Sequence, residues 1–163
     1  MGIIITNIII GGLMEEKAIR KLSQLLKSVE MGVENYDKFL NDVNDPVLKE
    51  KFKAFKDDYT NYSQQISNRI RELGGEPRKG SGIMGIMQEI SYSARKMAGH
   101  TPMSILKSAH LNETINLEAS QKILYEGIEK ESYDIIENNM NKSRLHMQEL
   151  QNLIREYEIK TED

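Results

Sequence analysis

Between Asp45 and Pro77, apolar and aromatic residues recur at Leu48, Phe52, Phe55, Tyr59, Tyr62, Ile66, Ile70 and Leu73. Every interval is three or four residues, so all of them share one stripe of a long α-helix. Asp45 suits the N-cap, and Pro46 suits the first helical position, where a missing N–H has no consequence. Gly74-Gly75 predicts a left-handed C-cap, and Pro77 prevents the helix from resuming. A helix of about 28 residues is a rod of roughly 40 Å. A rod striped along one face needs partners over its whole length.

The same pattern recurs along the chain. A first helix is predicted over 14–43, with Ile19, Leu22, Leu26, Val29, Val33, Tyr36, Leu40 and Val43 on its stripe. Gly32 interrupts it and suggests a closely approaching neighbour. Asn41-Asp42 and Asn44-Asp45 predict a tight turn, so the first two helices are antiparallel neighbours. After Pro77, the Gly-rich run RKGSGIMG leads into a short helix predicted from Ile83 to Met97. Thr101 and Pro102 cap and open a third helix, to about Glu129. A fourth runs from Glu131 to Glu158 with Ile136, Met140, Met147, Leu150, Ile154 and Tyr157 on its stripe. Gly127 marks the turn between these two. Two hairpins joined by one long crossover predict an all-α, ferritin-like four-helix bundle.

Residues 1–13 stand apart. The apolar run Ile3–Ile10 is too short to cross a bilayer, and it lacks the basic flank and cleavage site of a signal peptide. Gly11-Gly12-Leu13-Met14 can be encoded by a purine-rich ribosome-binding sequence followed by a start codon. Residues 1–13 are therefore expected to be a translated leader, with an apolar arm that packs on the bundle or on a membrane surface as the competing reading. The bundle is then residues 14–158, and 159–163 form a frayed tail.

Composition narrows the function classes. The chain has 163 residues, a net charge of −3 and no cysteine. Interspersed charges give no basic surface for nucleic acid. The absence of Cys excludes disulfides, thiolate metal sites and cysteine nucleophiles, and suits a cytoplasmic location. The methionines read as gap-filling core. Gly80-Ser81-Gly82 has neither the preceding strand nor the following Lys of a phosphate loop. No serine has a His/Asp pair in register for nucleophilic hydrolysis.

Metal chemistry is the remaining candidate. A ferritin-like di-metal centre takes a Glu from each of two helices and Glu-x-x-His from each of the other two. Counting residues from the two hairpin turns places Glu30, Asp58, Glu113 and His146 near mid-height. Glu113 and His146 are expected to face each other. The set is incomplete, because Ser143 and Lys142 precede His146, Tyr59 and Tyr62 occupy helix 2, and the order His110-x-x-Glu113 is reversed. These donors would suit a single Fe, Mn or Zn ion. The alternative is a buried hydrogen-bond network of Glu113, His146, Tyr59 and Tyr62, or a His146 at the edge of the bundle.

The segments DPVLKEKFKAF…RIRELGGEP, GSGIMG, ILKSAHLNETINLEASQKIL and SRLHMQELQNLIREY resemble the bacterial ferritin-like four-helix-bundle family known as domain of unknown function 2383. The resemblance spans roughly Ala18 to Glu158, and the GGEP-x-x-GS junction is its most specific part. It implies a bundle with a long middle crossover and no established activity. Glu113 and His146 match positions where such proteins often carry Glu and His. Rubrerythrins, distant relatives, carry a complete di-iron site. Tyr59, Tyr62 and Ser143 depart from it, which argues against ferroxidase or peroxidase activity.

The expected function is a non-catalytic structural, stress-related or interaction protein with no cofactor. A homodimer could form through the helix over 83–97, and no membrane association is expected. The alternative is a redox or iron-handling protein that binds Fe or Mn, related to rubrerythrin and ferritin. The native polypeptide is expected to begin at Met14; N-terminal sequencing that found Met1 or Gly2 would refute the leader.

Overall fold

The computed structural model describes residues 2–77 and 101–162. Among them are four helices and no strand: α1 (Gly2–Asp42), α2 (Pro46–Glu72), α3 (Pro102–Glu126) and α4 (Lys130–Glu162). The short helix expected over 83–97, and the dimer surface assigned to it, lie outside the described residues.

The ends of α2 form as their residues dictate. Asp45 is extended and accepts from the amides of Val47 and Leu48 at 2.8 and 3.2 Å. Gly74 takes φ +82, and the Gly75 amide bonds back to the Ile70 carbonyl at 2.9 Å. That six-residue closure satisfies a carbonyl which the helix itself leaves open. Thr101 caps α3 and exchanges hydrogen bonds with Ser104 in a reciprocal capping box.

α1 begins at Gly2 instead of Met14. The helix runs unbroken through Gly11 and Gly12, each of which costs about 1 kcal/mol relative to Ala without ending it. Ile10, Leu13 and Met14 are exposed, and Ala18 is buried.

The α2 stripe packs as predicted: every member from Leu48 to Ile70 is buried, and Leu73 is partly so. The buried face of α1 is wider than its stripe, because Leu25 and Phe39 join the core as well. A helix flanked by two neighbours needs that width. Tyr36 sits at the centre of an aromatic cluster, with ring centroids 5.6–5.9 Å from Phe39, Phe52, Phe55 and Tyr59. The buried face of α3 is different in kind: Ser108, Asn112, Glu113, Asn116 and Ser120 line it beside Ile105, Leu106, Ala109 and Ile123.

Side-chain contacts fix the helix directions. Ile19 meets Gly75 and Asp37 meets Lys56, so α1 and α2 are antiparallel. Lys21 reaches Gly127, and Tyr36 reaches Glu113, so α1 and α3 are antiparallel too. α2 and α3 are therefore parallel, and the end of α2 and the start of α3 lie at opposite ends of the bundle. Arg69 stands near the C-terminal end of α2. Its side chain is only 12% exposed and pairs with Glu72, Glu129 and Glu131.

Gly32 is the close approach that the sequence suggests. A Cβ at this position would lie 2.6 Å from Cδ1 of the Tyr59 ring. Gly32→Ala is expected to destabilise the fold by about 1–3 kcal/mol through overpacking, despite the better helix propensity of Ala. Urea denaturation would measure it, and a stabilised variant would contradict the packing.

Candidate functional site

At mid-height each helix presents one polar group to the same point. Glu113 on α3 has no exposure to water at all. Its Oε1 accepts from the Tyr36 hydroxyl of α1 at 2.5 Å, and its Oε2 from the Tyr59 hydroxyl of α2 at 3.1 Å. Nδ1 of His146 on α4 lies 3.3 Å from Oε1. The other imidazole nitrogen, Nε2, lies 3.1 Å from Oδ2 of Asp58. The Lys142 ammonium then closes on the second Asp58 oxygen. The result is a continuous line from a buried carboxylate, through an imidazole, to a partly exposed carboxylate and a surface lysine.

Local sequence explains the placement. Asp58 and Tyr59 are adjacent on α2, so Tyr59 turns to the core while Asp58 sits at the seam with α4. Lys142 and His146 are four residues apart on α4 and share a face. Phe55, one turn before Tyr59, stacks on the imidazole with centroids 4.1 Å apart and planes 28° apart. This contact fixes the plane of the ring.

The electrostatics follow from burial and partners. Burial raises the Tyr36 and Tyr59 hydroxyls well above the ordinary phenol value, and the Glu113 carboxylate raises them further. Both therefore stay protonated and act as donors. Burial disfavours the charged form of His146, but Glu113 and then Asp58 outweigh it and hold the imidazole above its ordinary value. Burial likewise opposes the Asp58 charge, and Lys142 and His146 together hold that carboxyl below the usual range. A charged imidazole donates from both nitrogens, one to each carboxylate.

The structure thus brings Glu113, His146 and Asp58 together. Glu30 is half-buried and makes no hydrogen bond or ion pair among the described residues. Tyr59 joins the network; Tyr62 does not bond Glu113, and its buried hydroxyl faces Ser120. Tyr36 and Lys142 are the members that sequence reasoning missed. The signal for Tyr36 was a tyrosine in an otherwise aliphatic stripe, because a buried phenol needs a partner.

A metal ion fits these donors poorly. A metal needs an imidazole lone pair, and both nitrogens of His146 face carboxylates. Both oxygens of Glu113 are occupied by hydroxyls. The position beside Asp58 holds the Lys142 ammonium. Among the described residues, no three His, Asp or Glu side chains gather in a way that could hold an ion.

Around this centre lies a seam of neutral polar pairs. Ser28 donates to Asn116 at 2.9 Å, Asn35 to Asn112 at 3.0 Å and Asn139 to Gln65 at 3.0 Å.

A family model described as "Domain of unknown function (DUF2383)" matches residues 17–126. No curated protein and no solved structure matches the chain. The matched span holds Tyr36, Asp58, Tyr59 and Glu113, whereas Lys142 and His146 lie beyond it.

The charged imidazole makes stability depend on pH. Its folded value is raised, so its contribution is full below the ordinary value of 6.5 and is lost as pH rises through the raised one. Asp58 is depressed, so its contribution is full above 3.8 and is lost as pH falls through the lowered value. His146→Leu is expected to cost about 3 kcal/mol near pH 6, because it strands a buried carboxylate. The gap between wild type and variant should narrow towards pH 9. Thermal melts across pH would show it, and a gap independent of pH would contradict a charged His146.

Proposed function

The chain belongs to the family described as domain of unknown function 2383, and we propose that it is a ferritin-like bundle whose mid-height site works without metal. In this reading, Glu113 and His146 occupy the level where related bundles place metal ligands, and protein donors stand where the ions would be. The protein is then a non-catalytic structural, stress-related or interaction protein of the cytoplasm. Its charged core serves to hold two hairpins in register.

One observation carries the reading. All four donor atoms of the central pair, two carboxylate oxygens and two ring nitrogens, are already engaged by protein groups. A redox bundle would need at least one of them open towards a shared point. The departures at Tyr59 and Ser143 support the same view, since the tyrosine fills the place of a carboxylate. Parallel α2 and α3 favour the ferritin-like connection over a simple up-and-down bundle. A chain without cysteine suits a reducing compartment.

Protein purified without chelator is expected to contain Fe and Mn well below one equivalent, with a melting temperature unchanged by EDTA. Elemental analysis and thermal melts test this. One equivalent or more of Fe or Mn, lost in His146→Ala, would overturn the proposal and restore the redox alternative.

A further inference from the structure

A groove of about 520 Å³ runs along the outer side of the α3–α4 hairpin, away from the charged core. Its size falls within the range of about 300–1,000 Å³ common for ligand clefts. α3 contributes Lys107, His110, Leu111 and Thr114, and α4 contributes Gln151, Ile154 and Arg155. These are successive turns of one face on each helix. The Gln151 side-chain nitrogen lies 3.3 Å from Nε2 of His110, which fixes the register of the two walls. Lys107 is one turn from His110, and Arg155 is one turn from Gln151 in the same direction, because the helices are antiparallel. The two cations therefore stand at the same level on opposite walls. Leu111 and Ile154, both half-buried, supply the apolar surface between them.

The charge pattern needs a complement. Among the described residues no Asp or Glu lines the groove, although acids outnumber bases along the chain by 25 to 22. Among the described residues Arg155 bonds only neutral groups, the Gln151 carbonyl at 3.3 Å and the Asn152 amide oxygen at 2.8 Å. Lys107 has no hydrogen bond or ion pair among the described residues. Two cations lining one cleft with no acid beside them favour an anion that enters it. The Thr114 hydroxyl donates to the His110 carbonyl at 3.0 Å, so its one proton is already used within α3.

We propose that this groove binds a small organic carboxylate with a short apolar tail. The carboxylate sits between Lys107 and Arg155, and the tail lies on Leu111 and Ile154. Recognition needs both halves of the ligand. Neither the charge alone nor the chain alone has a complete partner here.

The test is titration of the full-length protein with octanoate, followed by calorimetry and by amide chemical shifts. The expected result is saturable one-to-one binding, with shifts confined to α3 and α4 around residues 107–114 and 151–155. Octanol and acetate should each bind at least tenfold more weakly. Lys107→Gln/Arg155→Gln should weaken octanoate by about tenfold, the scale of two exposed charge contacts. Both side chains are exposed, so its melting temperature should stay within a few degrees of wild type. Octanoate that fails to saturate would overturn the proposal. So would octanol or acetate binding as tightly as octanoate, or a double variant that binds octanoate like wild type.

Discussion

A carboxylate sealed from water in the middle of four helices sets the terms for this molecule. Stranding an ionised carboxyl in a medium of low polarity is prohibitive unless hydrogen bonds and an opposite charge surround it. Glu113 receives a hydroxyl from α1, a hydroxyl from α2 and an imidazole from α4. Each helix thus contributes one group to a single point. Shifting one helix by a turn, about 5.4 Å, would remove a donor and leave part of the charge unanswered. The network therefore acts less as a source of stability than as a penalty on every other arrangement.

The division of labour between apolar and polar contacts follows from this. Within the α1–α2 hairpin the packing is largely aromatic and aliphatic, and such contacts tolerate sliding. Between the hairpins the contacts are directional. Lys21 binds the α3–α4 turn, Ser28 and Asn35 bind α3, and Arg69 grips the start of α4. At the opposite end the Tyr157 hydroxyl closes on Asp45. That hydrogen bond lowers the Asp45 carboxyl, while burial and then Asp45 raise the phenol to about 12. The residue that caps α2 is thereby also the residue that anchors α4. The hydrophobic effect gathers the hairpins without direction, and the polar pairs decide how they dock.

Much of this was legible before any coordinates. The α2 stripe, its Asp45 cap and its Gly74 exit follow from period and turn chemistry, which are local. The meeting of Glu113 and His146 also follows, because equal counts from a tight turn place two residues level on antiparallel helices. What escaped was non-local. Tyr36 reads as one more stripe residue, and only the tertiary fold reveals that its hydroxyl has a carboxylate to serve. Tyr62 reads as its equal, yet it lies a turn beyond Glu113 and faces Ser120. Glu30 is close to the right height, but height alone does not bring a side chain to the axis. α1 begins at Gly2, ahead of the stripe that starts at Ile19, because a stripe marks the residues that pack and not the length of the helix.

The core also bears on how a bundle can keep acids inside. Acidic groups clustered at mid-height must be neutralised, and a bundle has two means of doing so. One is a bound cation, which demands open lone pairs and a converging set of ligands. The other is protein-borne: phenols as neutral donors, an imidazole that takes up a proton and an ammonium at the rim. The two exclude each other at the same atoms, since a ring that donates from both nitrogens has no lone pair left for a metal. Lys142 is the telling residue. It sits four residues before His146, and the position three before, where a Glu-x-x-His motif would supply a carboxylate, is Ser143. The motif position thus carries no carboxylate, and the base beside it supplies a countercharge to Asp58.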